Sequence, residues 1–364
     1  MSNLLKDAYN NESLNKLALE IKSVYPPFPV DDFIEFTMDE TWDNLELKDR
    51  CRKITMSLGK YLPANYSESI GIIDKLITNY GSWLEGIFGM FFLDYIEVFG
   101  QNEEDWDISI SAIERYTPYE SAEFAVRPFI INHEERMMAQ MYAWSKHENK
   151  GVRRLASEGC RPQLPWAQSL PSFKKDPSPI LPILEQLKND PCEWVRKSVA
   201  NNLNDISKTH PDLVIKIAKE WYGDNKDTDW IVKHACRTLL KKGNKEVLAI
   251  FGYGNAEAVN VENFNLEKNP VKIGEDLIFT FLLTAKKDAK VRLEYGIDYV
   301  KAKGKRSRKV FKISEVSFNE SEKKHYTRKH SFADVSVRKH YPGVHSVTLI
   351  VNGEECGVLD FELM

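Results

Sequence analysis

The chain has 364 residues, 42% hydrophobic and 29% charged, with a formal net charge of −4. That balance excludes a disordered or fibrous chain and leaves room for two or three folded domains. No apolar run approaches the ~18–20 residues of a membrane helix, and Met1–Asp7 lacks the basic, apolar, small-residue order of a signal peptide.

The five cysteines are scattered, odd in number and without a metal-ligand spacing, so they read as reduced thiols of a cytoplasmic protein with no metal and no cofactor. Residues 1–150 read as a series of helices separated at Pro26-Pro27, Pro63, Pro118 and Pro128. Apolar residues near helical spacing mark Trp42–Leu62 and Ile70–Tyr80. Asp105-Trp106-Asp107-Ile108 opens another helix with acids in its first turn. Ser121–Pro128 is expected as a helix interrupted or kinked at Pro128, and His133–Met138 leads one more into Trp144. Met137, Met138, Met141 and Trp144 are read as core.

From Gly151 to Asn244 one local pattern recurs. In Asn149–Arg154, Asp190–Lys197 and Asp227–His234 a polar or acidic turn is followed by a valine and a base. Val152, Val195 and Val232 lie 43 and then 37 residues apart, the period of helical-pair repeats of the HEAT kind. Asp190-Pro191 is expected to cap the second copy with proline at its first helical position, and Val195, Val199 and Leu203 fall on one helical face. A single pair cannot bury its apolar face alone, so neighbours must stack. The prediction is a mainly α protein, with a HEAT-like helical-repeat solenoid over residues 1–254 carrying any active site.

Between the first two copies the chain leaves the repeat. Ala156-Ser157-Glu158-Gly159 ends a helix, and Arg161-Pro162 with Leu164-Pro165-Trp166 forms a loop braced by two prolines. Together with Trp194–Asp205, these segments resemble the AlkC-type DNA alkylation repair glycosylases. The likeness extends over most of the chain and departs at Gln163, where a base would stand. It implies an enzyme that hydrolyses the N-glycosidic bond of cationic alkylated bases in double-stranded DNA, 3-methyladenine first and 3-methylcytosine second. It also implies an added C-terminal domain, and it carries Glu158 and Asp205 over as catalytic acids, with Glu123 as a third.

Past Gly252 and Gly254, a linker, the texture changes. Val271–Leu283 reads as strand, turn, strand; Val291–Tyr295, Val310–Ile313 and Val344–Val351 alternate with period two. Asn352-Gly353 is a two-residue hairpin signal. About seven short strands in 261–364 predict an all-β, immunoglobulin-like sandwich. This part holds 19 Lys and Arg against 15 Asp and Glu, a net of +4, and the rest of the chain −8.

The residue types this chemistry needs are present. A base that already carries positive charge leaves readily, so what remains is to stabilise an oxocarbenium-like sugar and position water, which carboxylates do. Aligning Val152 with Val195 sets Glu158 and Asp205 near the C-terminal ends of equivalent helices, where acids oppose the helix dipole. The ordinary reading of Asp205 is a pair with Lys208. Trp166 can stack on a sugar edge or pack. Arg153, Arg154, Arg161, Arg237 and Lys241 are candidate phosphate contacts, or ties to acids of the next repeat. Lys301–Lys312 holds seven bases and no acid, and Lys303, Lys305, Arg306 and Arg308 are assigned to a DNA clamp. The competing reading is a scaffold without activity, favoured if Glu158, Trp166 and Asp205 face the core. A monomer with no obligate protein partner is expected.

Overall fold

The computed structural model describes residues 4–81, 83–334 and 339–364, so the first residues of the segment weighed as a leader lie outside it. The chain divides into two compact units, Met1–Thr209 and His210–Met364. The first holds α1 (Asn11–Val24), α2 (Val30–Thr37), α3 (Leu47–Tyr61), α4 (Tyr66–Tyr80), α5 (Met90–Phe99) and α6 (Trp106–Tyr116). It continues with α7 (Val126–Asn132), α8 (Glu134–Trp144), α9 (Lys150–Glu158), α10 (Pro171–Lys175), α11 (Leu181–Leu187) and α12 (Glu193–Ile206). Among the described residues, no helix is long and apolar enough to cross a membrane.

The repeat expectation holds in its core positions. Val152, Leu155 and Ala156 of α9 and Val195, Val199 and Leu203 of α12 are buried between the two helices and their neighbours. Each of the valines and leucines contributes roughly 1.5–3 kcal/mol on leaving water. Met137, Met138, Met141 and Trp144 are core as read. Asparagine caps recur at these helix starts: Asn10 for α1, Asn65 for α4 and Asn149 for α9 each accept a backbone N–H.

Two local expectations need correction. Pro191 does not open α12, which begins at Glu193; instead Asp190 Oδ1 accepts the Cys192 N–H at 2.8 Å, because its carboxylate closes a turn ahead of the helix. Ser121–Ala125 is a run of turns rather than helix, and Pro128 sits in the first turn of α7, where a missing N–H costs nothing. Glu123 therefore stands on a turn.

The second unit joins α13 (Pro211–Trp221), α14 (Lys226–Ala235), α15 (Arg237–Lys241) and α16 (Lys245–Ile250) to a two-sheet antiparallel sandwich. Its strands are β1 (Val259–Leu266), β2 (Asp276–Ala285), β3 (Ala289–Val300), β4 (Arg306–Phe318), β5 (Lys323–Ser331), β6 (Gly343–Val351) and β7 (Glu354–Leu363). The sheets run β1-β2-β5 and β4-β3-β6-β7. Leu277, Phe279, Phe281 and Leu283 of β2 face Val291, Leu293, Tyr295 and Ile297 of β3 across the core. Asn352 and Gly353 both have positive φ, 46° and 79°, as a tight β6–β7 hairpin requires. Strand β1 starts at Val259, ahead of Val271, where the first strand was expected.

Helix and sandwich meet over buried charge. Arg292 on β3 bonds Glu294 and Glu315, each at 2.6 Å, and Lys233 of α14 closes on Glu315 from above. Burial alone would raise the Glu315 carboxyl, but Lys233, Lys312 and Arg292 bring it down to about 2. A depressed carboxylate stabilises the fold above its unfolded value, and that contribution fades as pH falls toward the folded value. Glu315→Gln should therefore lower unfolding free energy at pH 7 by on the order of 2–4 kcal/mol. Denaturant titrations at several pH values should show the gap to the parent closing as pH drops from 4.5 toward about 2.

A ladder of carboxylates and guanidiniums

The candidate site lies wholly in the first unit. Glu158 ends α9, Asp205 lies in the last turn of α12, and Arg161 opens the loop after α9. Arg161 reaches both acids: Nη1 to Glu158 Oε1 at 2.6 Å and Nη2 to Asp205 Oδ2 at 2.8 Å. Arg154, one helical turn before Glu158, places Nη2 3.5 Å from that carboxylate and Nη1 2.7 Å from Glu123 Oε2. Lys208 closes the far end on Asp205 Oδ1 at 2.8 Å, the ordinary pairing weighed for that acid. The result is an alternating series, Glu123–Arg154–Glu158–Arg161–Asp205–Lys208.

Hydroxyls and an indole trim the series. Ser198 donates to Glu158 Oε2 at 2.6 Å, Ser121 to Glu123 at 2.8 Å, and the Arg154 guanidinium lies 4.5 Å from the Trp194 ring centroid. Burial is graded along it. Glu158 and Asp205 are 5% and 3% exposed, whereas the Glu123 side chain keeps 18%. Burial of two acids is the outcome named for the scaffold reading; Trp166 goes the other way, 70% exposed. The polar partners of the two acids are guanidinium, ammonium and hydroxyl groups. Burial alone would depress the Arg161 guanidinium, yet Glu158 and Asp205 raise it above its usual value.

The loop that carries Trp166 is stapled by cations. Arg127 of α7, 1% exposed, gives its three nitrogens to the carbonyls of Gly159, Arg161 (both 3.0 Å) and Gln168. Burial brings this guanidinium down to about 10. Leu164-Pro165-Trp166-Ala167 is a turn closed by the Ala167 N–H on Leu164 O, with Trp166 at φ 65°. Proline second and positive φ third is the type II pattern, whose third position glycine normally fills. Lys48 of α3 donates to Trp166 O at 2.9 Å. Beside Glu123, a cavity of about 390 Å³ opens between Lys48, Arg52, Leu93, Asp94, Ser121 and Phe124.

The candidate bases separate into classes. Arg153 is spent on architecture: it pairs with Asp190 through two nitrogens, at 2.6 and 3.1 Å, and donates to the carbonyls of His147 and Glu148. Arg196 repeats the carbonyl contacts one copy later, on Asp190 O and Pro191 O. Arg161 serves the ladder and offers little surface to a phosphate. In the second unit, Arg237 donates to His234 O, and Lys241 is exposed at the end of α15. Lys303 and Lys305 project from the β3–β4 turn, but Arg306 and Arg308 lie on strand β4 rather than in a loop. Arg308 is held by Asp298 and Glu355. Since β4 is a sheet edge, its charge also keeps that edge from pairing with another chain.

Some partners were within reach of the sequence. Arg154 and Glu158 are four apart, and Glu158 and Arg161 three, so helical spacing alone brings them together; Pro165 flagged the turn. Lys48, Arg127 and Ser198 gave no local signal. Among the described residues no group of His, Cys, Asp and Glu is arranged to hold a metal ion.

A model of the DNA alkylation repair enzyme family matches residues 87–239. A second model, described as the C-terminal Ig-like domain of the uncharacterised protein YhaZ, matches residues 260–364. The chain is 48% identical over 359 residues to the Bacillus subtilis (strain 168) uncharacterized protein YhaZ, covering 99% of each. In structure it is similar to Pseudomonas fluorescens AlkC, an alkylpurine DNA glycosylase solved bound to DNA containing an abasic site analogue. The TM-score is 0.94, with 36% identity and complete coverage of both chains.

Because Arg161 bridges two buried acids, Arg161→Met should cost on the order of 3–5 kcal/mol in denaturant unfolding. Arg161→Lys should recover only part of this, since one ammonium cannot match a planar fork that spans two carboxylates.

Proposed function

The chain belongs to the AlkC-type DNA alkylation repair family, and on that premise we propose that it is a monofunctional glycosylase. Its substrates are cationic alkylated bases in double-stranded DNA, 3-methyladenine foremost and 3-methylcytosine second, and the bond it hydrolyses is the N-glycosidic one. The observation that carries this reading is the ladder: three carboxylates in series, held apart by two guanidiniums, with the least buried of them at one end.

The chemistry follows from the charges. Departure of a cationic base leaves positive charge on C1′ of the sugar, which a carboxylate stabilises by Coulomb attraction in a partly dehydrated cleft. Glu123, the most accessible of the three and borne on a turn, is best placed to face that carbon or to take a proton from the attacking water. Glu158 and Asp205 fix Arg154 and Arg161, and through them the orientation of Glu123 and of the loop. The exposed Trp166 supplies an aromatic face against the sugar or a neighbouring base. Lys303 and Lys305 reach the DNA backbone from the sandwich and act as its clamp.

Two measurements test this. Single-turnover release of 3-methyladenine should fall by ~10²-fold or more in Glu123→Gln, Glu158→Gln and Asp205→Asn. Glu123→Gln should lower the melting temperature less than the two buried substitutions; excision at the parent rate in all three would remove the carboxylates from the mechanism. Reversing Lys303 and Lys305 to Glu should weaken duplex binding and flatten its salt dependence by roughly 0.9 in slope per lost phosphate contact. Exposed charges contribute little to stability, so unfolding should not change. Unaltered binding would take the sandwich off the DNA.

A further inference from the structure

Trp166 occupies a backbone conformation that its side chain does not favour. At φ 65° it fills the glycine position of a type II turn, and its indole is held out to solvent rather than packed. Such a conformation persists only when surrounding contacts over-determine it. Before and after the turn those contacts are the Arg127 bonds to Arg161 O and Gln168 O. At the turn itself the contact is Lys48, 118 residues earlier, whose Nζ donates to Trp166 O at 2.9 Å.

Lys48 is tied to the site at its other side as well. Its ammonium sits 4.6 Å from the ring centroid of Phe124, the residue after Glu123. One cation therefore touches both the segment that presents the most open carboxylate and the segment that presents the indole. Lys48 is itself exposed, so burial does not force these contacts; they form although a lysine gives up side-chain freedom to make them. Lys48 and Phe124 also line the cavity beside Glu123, which places the contact at the rim of the site.

We propose that Lys48 is a positioning residue: it holds Trp166 in the left-handed conformation and sets the spacing between the indole and the Glu123 carboxylate. The inference rests on the glycosylase reading above, in which Trp166 meets the sugar or a neighbouring base while Glu123 faces C1′. A lysine that merely contacted phosphate would act on affinity, whereas a positioning lysine acts on the rate within the bound complex.

The test uses the full chain labelled with 5-fluorotryptophan, with the Trp166 fluorine resonance identified by its loss in Trp166→Phe. Lys48→Met should move that resonance, and Lys48→Arg, which keeps a donor, should return it toward the parent position. On duplex treated with dimethyl sulfate, Lys48→Met should slow single-turnover release of 3-methyladenine by ~10-fold or more, the scale of a small misplacement of a positioned group. Duplex affinity, salt slope and melting temperature should stay at parent values. If Lys48 acts through Trp166, Lys48→Met combined with Trp166→Ala should be no slower than Trp166→Ala alone. An unmoved resonance, a multiplying loss in the double variant, or a defect seen solely in affinity and salt slope would overturn the proposal. So would parent-rate excision by Trp166→Ala. Absence of excision in the parent itself would count against the glycosylase reading, and the fluorine resonance would still decide whether Lys48 holds the turn.

Discussion

A carboxylate buried without a cation is too costly to keep, and that constraint organises the first unit. Glu158 and Asp205 come from different helices, α9 and α12, and each is almost inaccessible to water. Either alone would destabilise the fold by several kcal/mol. Arg161 meets both, so the two helices and the start of the loop are locked to one another by a single planar group. The hydrophobic face of α12 sets how the helices stack; the guanidinium sets where along their length the polar groups meet. Repeat packing and site geometry are thus one arrangement, and the Arg153–Asp190 pair secures the other end of the same helices.

The loop between these helices is held in an opposite manner. Arg127 is buried, and among the described residues its three nitrogens are satisfied by backbone carbonyls rather than by an ion-paired carboxylate. Its lowered pKa, about 10, records the desolvation that goes with this. A neutral side chain could not replace it, because three carbonyls would lose their donors at once. A loop so fixed can sustain a strained residue, and Trp166 at positive φ costs on the order of 1–2 kcal/mol. Rigidity and strain occur here together, next to an indole that remains 70% exposed.

The second unit shows how helices and a sandwich can share one compact body. A would-be Cβ on Gly243, after α15, falls 2.8 Å from the Gly353 carbonyl at the β6–β7 turn, so the two backbones approach where no side chain fits. Both residues have positive φ, 68° and 79°, which glycine adopts freely. Nearby, Lys290 donates to Phe251 O and Asn352 to Gly254 O, so the segment between α16 and β1 is pinned to strand ends. The polar cluster of Arg292, Glu294, Glu315 and Lys233 completes the seam. What read as a linker by its glycines is a bonded junction.

Local pattern was enough for much of this protein. A period-3.6 apolar face announced α12, the repeat of its pattern announced α9, Asn352-Gly353 announced a hairpin, and alternating strands announced the sandwich, because each depends on local sequence pattern. The acids Glu158, Asp205 and Glu123 were carried over by the resemblance; that Arg154, Glu158 and Arg161 would meet follows from their spacing of four and three residues on and beside one helix. Strand β1 and the turns around Glu123 were missed, since short polar segments are decided by what they pack against. Tertiary structure alone decided which acid stays open, which arginines are spent on architecture, and which lysine touches Trp166. Those outcomes depend on burial and on partners up to 118 residues away, and the energy of a charge is set by what surrounds it in space rather than by what precedes it in the chain.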